Sequence, residues 1–219
     1  MGKQIIIALS RTCGSGGREI GRELAKRLGI DFLDRELLDS VAEEKGVNPE
    51  KLRPFEEKAR NLLISRTVRS IHGKHTNSPE EIVSQQQFDY ILKKAQAGDS
   101  FVLIGRCGTQ VLKDYPELVK VFVTGDSEHR IKRIMELFHM LRPEARNLIR
   151  KKDRQRKAYH NAYCSKKWGD PSAYDIMFSS SRLGVPGSVD LIMNYLDLRM
   201  AEEAKSPEEQ KEDLDRKEE

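Results

Sequence analysis

The sequence of 219 residues predicts an α/β fold: a doubly wound, parallel sheet of five strands with helices on both faces. Three observations lead there. Short β-rich runs alternate with helical patterns along the chain. The runs are apolar almost throughout, as strands covered on both faces must be. A glycine-rich turn separates the first run from the first helix. Strands alternating with helices require right-handed crossovers, and these build a doubly wound sheet.

The expected strands cover residues 5–10, 101–105, 119–124 and 175–179, with a weaker fifth over 30–34. Residues 18–28 read as a helix because Ile20, Leu24 and Leu28 recur every four residues. Residues 130–140 read likewise from Ile131, Ile134, Leu137 and Phe138, and a last long helix runs over about 187–200. Residues 35–98 form a mostly helical insert without a convincing strand. Residues 141–170 are basic and poor in strand signals, which suits a mobile lid. The expected organisation is a single domain over 1–200, followed by a charged tail over 201–219 with almost nothing apolar to bury.

The net charge of +4 hides a division. Residues 201–219 hold nine acids and four bases, so the rest of the chain carries +9. Residues 130–167 hold 13 Lys and Arg against Glu136, Glu144 and Asp153. A block this basic calls for an anionic partner, a nucleotide or a nucleic-acid backbone. The nucleic-acid reading is the weaker, since aromatics near the block are confined to Tyr159, Tyr163 and Trp168 and no helix-turn-helix or zinc pattern occurs. No stretch has the ~20 apolar residues of a membrane span. Cys13, Cys107 and Cys164 are few and far apart, which reads as reduced thiols in a cytoplasmic protein. The five histidines show no ligand spacing, and none is assigned a metal.

The strongest chemical signal runs from Ser10 to Glu19, directly after the first strand. Gly14, Ser15, Gly16 and Gly17 let backbone N–H groups wrap an anion, and the N-terminus of the following helix, with Arg18 and Glu19, adds a favourable partial charge. The pattern approaches G-x-x-x-x-G-K-[ST] and departs from it at the lysine. With Gly16 as the second glycine, Arg11 stands at the opening glycine and Gly17 at the lysine. Shifted by one, Thr12 opens, and Arg18 and Glu19 take the last two places. Arg18 is expected to supply the missing positive charge, with Arg11 or a lid arginine as the competing candidate. Arg106, between Gly105 and Cys107 at the end of the third strand, should enter the same cleft, because ligands of open α/β sheets gather at strand carboxyl ends. Asp34 and Arg35 converge on it from the second strand. Lid arginines, with Arg133 and Arg150 among the preferred, would stabilise charge on a transferring phosphoryl group.

Taken together, these segments resemble the cytidylate kinase-like proteins, a branch of the P-loop nucleoside-monophosphate kinases. The resemblance covers roughly residues 4–195 and rests on the loop from Ser10 to Gly21, Leu33-Asp34-Arg35-Glu36, Ile104-Gly105-Arg106-Cys107, Trp168-Gly169-Asp170 and Tyr174-Asp175-Ile176-Met177. It implies ATP-dependent phosphoryl transfer to CMP or dCMP with Mg²⁺. It gives Arg106 the acceptor phosphate, from a G-R-D triplet in which Cys107 replaces the aspartate, and gives Asp153 and Arg156 the acceptor base and phosphate. The Mg²⁺ would be held mostly by water and phosphate oxygens, with Glu19 or Asp34 nearby and no direct protein ligand. The family's L-D-[ST]-G-x-x-Y-R pattern survives only as Leu33-Asp34. The alternative is a catalytically silent nucleotide-binding sensor or interaction protein on the same fold.

Overall fold

The computed structural model describes residues 3–34, 36–56, 58 and 78–205. Arg35, much of the expected insert and residues 206–219 of the expected tail lie outside the described residues.

Five strands form one parallel sheet in the order β2-β3-β1-β4-β5. They are β1 (Ile6–Arg11), β2 (Asp31–Leu33), β3 (Phe101–Ile104), β4 (Leu118–Thr124) and β5 (Ile176–Ser179). Central β1 pairs Ile6 with Phe101 on one side and with Leu118 on the other. Because strand side chains alternate in direction, the apolar runs feed two cores. Ile7, Leu9, Val102, Ile104, Val121 and Val123 join Ile20 and Leu24 of α1 (Gly17–Leu28) and Val189, Ile192 and Leu196 of α7 (Gly184–Glu203) on one face. Ile6, Ala8, Phe101 and Leu103 meet Leu37 of α2 (Glu36–Glu44) and Ile91 of α3 (Pro79–Gln96) on the other.

A short α4 (Gly108–Val111) follows β3, and α5 (Ser127–Phe138) follows β4. The basic segment expected to be a lid is, over most of its length, one 22-residue helix, α6 (Arg142–Tyr163). It buries Ala145, Ile149, Tyr159 and His160, and with Ile131 and Ile134 of α5 it encloses Cys13 in a third apolar cluster. Leu137 and Phe138, which share the helical pattern of α5, stay 52% and 58% exposed. They border the cleft described below instead of the core. The last helix continues three residues into the expected tail, to Glu203.

Candidate functional site

The chain reverses its direction of sheet growth at β1, with β3 on one side and β4 on the other. A cleft opens there at the carboxyl ends of the strands, where open α/β sheets place their ligands. The β1–α1 loop, the end of β2, the turn after β3, α5 and α6 enclose a cavity of about 640 Å³.

The loop itself is built for close approach. Gly14 and Gly16 take φ of +82° and +74°, conformations that cost most side chains. A Cβ on Gly14 would lie 2.8 Å from the carbonyl oxygen of Arg130. The Ser15 hydroxyl donates to the Thr12 carbonyl at 2.9 Å, and Ser180 Oγ donates to the Ser15 carbonyl at 2.6 Å. These bonds leave the N–H groups of Gly14, Gly16, Gly17 and Arg18 with no acceptor among the described residues. Converging donors at the start of a three-turn helix form an anion cradle.

Arg11 and Gly17 explain each other. A Cβ on Gly17 would fall 2.6 Å from Cβ of Arg11, so the Arg11 side chain occupies the space beside the first helical residue. Arg11 also lines the cavity. Where the motif has glycine and then lysine, this chain has arginine and then glycine, and the two exchanges fit in one volume.

Three further arginines of the cleft are paired with carboxylates. Arg18 pairs with buried Asp34 and reaches Glu36 at 3.6 Å. Arg133 pairs with Glu19, its guanidinium carbon 3.6 Å from where a Cβ on Gly16 would be. Arg106 is 3% exposed and pairs with Glu56, which follows a short turn over Arg53–Phe55. Both Arg106 and Cys107 have positive φ, +51° and +53°. Two adjacent left-handed non-glycine residues cost about 1–2 kcal/mol each and commonly mark positions where function fixes the backbone. Among the described residues, eight basic residues line the cavity against three carboxylates, Glu19, Asp34 and Glu56. That excess suits a polyphosphate. Each of the three carboxylates is engaged by an arginine.

Two residues expected at the cleft stand beside it in this structure. Asp153 does not line this cavity. Its carboxylate accepts from the Cys13 N–H at 2.7 Å and pairs with Arg130, whose Nε donates to the Cys13 carbonyl at 2.7 Å. One turn along α6, Arg156 reaches the Arg11 carbonyl at 3.3 Å and does border the cavity. The reason is helical spacing: Leu148, Lys152, Gln155 and Arg156 share the cavity face, while Asp153 sits beside it and grips the loop from behind. Arg150 is exposed and opens with Arg146 and Arg154 onto a different groove of about 520 Å³. It does not reach the glycine loop.

Arg53, Glu56, Lys58 and Lys152 join the cavity without having been singled out in the sequence. Only Lys152 carried a signal, lying in the basic block. A separate grouping was also missed: Cys107, His160 and Cys164 place their side-chain donor atoms within 4.8 Å of one another. A hydrogen bond with Cys107 holds the Cys164 thiol well below its ordinary value, while burial pushes that of Cys13 up.

Comparison with known families decides the kinship. The model of the cytidylate kinase-like family matches residues 6–182. The chain belongs to that family. Among solved structures it is similar to an uncharacterized protein from Eubacterium ventriosum ATCC 27560, with 33% identity and a TM-score of 0.70 over 89% of this chain and 99% of that one. It is also similar to TT1252 from Thermus thermophilus, at 15% identity and a TM-score of 0.50 over 90% and 98% of the two chains, a likeness of fold. A shikimate kinase from Bacteroides thetaiotaomicron matches at 15% identity and a TM-score of 0.49, over 88% of this family member and 98% of the kinase. The comparison with curated proteins gives no match. No helix among the described residues is long and apolar enough to cross a membrane.

Proposed function

We propose that this kinase-family chain transfers the terminal phosphoryl group of ATP to a pyrimidine nucleoside monophosphate, CMP or dCMP, in the cytoplasm. The observation that carries the reading is the cradle of N–H donors at Gly14–Arg18 opening into a cavity that, among the described residues, has five more cations than carboxylates. Bound MgATP supplies the phosphoryl group; the chain supplies position and charge, which is most of what phosphoryl transfer requires of a protein.

The loop amides and Arg11 hold the polyphosphate, and Arg133 covers it above Gly16. Ile134, Leu137, Phe138 and Leu148 offer the apolar surface that a nucleobase needs. Arg106, buried and fixed, takes the acceptor phosphate in place of Glu56, and Arg156 approaches from α6. Arg18, tied to Asp34, borders the acceptor side, where the Asp34 carboxylate can accept a hydrogen bond from the acceptor.

An ADP-release assay against a panel of nucleoside monophosphates and free nucleosides tests this. Turnover is expected with CMP or dCMP and to be weaker with UMP. Turnover with a different acceptor would reassign the substrate. MgATP binding with no turnover on any acceptor would make the chain a silent nucleotide binder.

A further inference from the structure

The turn after β3 and the last turn of α6 meet at three side chains that the phosphoryl-transfer reading does not use. Cys107 and His160 are buried, and Cys164 is partly so. His160 and Cys164 stand four residues apart, hence on one face of the helix end. Their donor atoms and the Cys107 sulfur all lie within 4.8 Å of one another.

The imidazole is already set for coordination. Its Nε2 lies 3.2 Å from the Lys166 carbonyl oxygen, which can only accept, so Nε2 carries the proton. Nδ1 is left with a lone pair facing Cys164 Sγ at 3.5 Å. An outward N–H bonded to a carbonyl is the usual support of a metal-ligating histidine. An ion at about 2.3 Å from sulfur and about 2.0–2.1 Å from nitrogen, in tetrahedral geometry, sets those two atoms roughly 3.5 Å apart. Beside Cys107 and His160 lies a cavity of about 20 Å³, room for one water as a fourth ligand.

We propose that Cys107 Sγ, His160 Nδ1 and Cys164 Sγ bind one soft divalent cation, Zn²⁺ by the chemistry of the donors. Two thiolates and one imidazole disfavour Mg²⁺, so the site is distinct from the metal that accompanies ATP. The ion clips the end of α6 to the turn that holds Arg106 in its left-handed conformation. Its removal should loosen that turn while leaving the glycine loop intact.

The test uses the full chain, reduced, free of any histidine tag and stripped with a chelator. Titration with Co²⁺ should saturate at one equivalent, with a thiolate-to-cobalt charge-transfer band and the visible bands of tetrahedral cobalt. Zn²⁺ should displace the Co²⁺, raise the melting temperature by several degrees and block alkylation of Cys107 and Cys164. The bands should vanish in Cys164→Ser and His160→Asn and persist in Cys13→Ser. A folded, reduced parent chain that shows no cobalt–thiolate band overturns the proposal, whether or not the variants fold. So does a band that survives in Cys164→Ser, or a Cys107–Cys164 disulfide that an added thiol oxidant such as diamide forms equally fast with and without Zn²⁺.

Discussion

Replacing Arg11 with alanine is expected to lower phosphoryl-transfer turnover ~100- to 1,000-fold, the usual loss when a charge contact to the transition state is removed. The side chain fills the space beside Gly17, borders the cavity and starts from the strand that carries the loop. Arg18→Ala should cost much less, because two carboxylates already offset the Arg18 charge on the β2 side of the cleft. The steric relation adds a stricter expectation. Gly17→Lys alone should fail, since its Cβ would stand 2.6 Å from Cβ of Arg11. Arg11→Gly combined with Gly17→Lys should recover most of the turnover, with the cation moved to the other end of the loop. Steady-state rates for the four variants check this. Near-parental turnover in Arg11→Ala, with Arg18→Ala crippled, would assign the charge to Arg18.

Asp153→Ala is expected to destabilise the protein by about 2–3 kcal/mol, in the range of hydrogen bonds made to a charged group. Asp153 and Arg130 are 20% and 14% exposed, so the arginine left behind is poorly hydrated and the Cys13 N–H loses its acceptor. Thermal melting should show the loss, and ATP affinity should fall with it because Cys13 begins the glycine turn. Arg130→Ala should give a similar loss, and the double variant little more than either alone, since both side chains act as one clamp. Arg150→Ala, exposed and away from the loop, should stay within about 0.5 kcal/mol of the parent. A variant at 153 with unchanged melting and altered choice between CMP and UMP would return Asp153 to acceptor recognition.

The sheet was legible because strands buried on both faces must be apolar at every position. Ile6 to Leu9 and Phe101 to Ile104 have no alternative environment. Even β2, only three residues long, lies within the weaker fifth run over 30–34. The cradle was legible through its glycines. What the sequence withheld depends on rotation and meeting. Asp153 and Arg156 are neighbours about 60° apart around the helix, which is enough to set one beside the cavity face, behind the loop, and the other in the cleft. Glu56, Arg53 and Lys58 come from a stretch without periodicity, so nothing in one dimension sets them opposite Arg106. Cys107 lies 53 residues from His160, and the H-x-x-x-C spacing of His160 and Cys164 gains meaning only when β3 delivers a third donor.

The loop's role as a polyphosphate cradle is tested most directly by comparing ATP, inorganic tripolyphosphate and adenosine for their effect on the melting temperature. ATP and tripolyphosphate, each with Mg²⁺, should both raise it, and at a hundred times its dissociation constant a ligand adds about 2.7 kcal/mol. Adenosine should add little, and Gly14→Ala, whose Cβ would meet the Arg130 carbonyl, should abolish both polyphosphate effects while remaining folded. Adenosine stabilising as much as ATP, or a polyphosphate effect that Gly14→Ala leaves untouched, would contradict it.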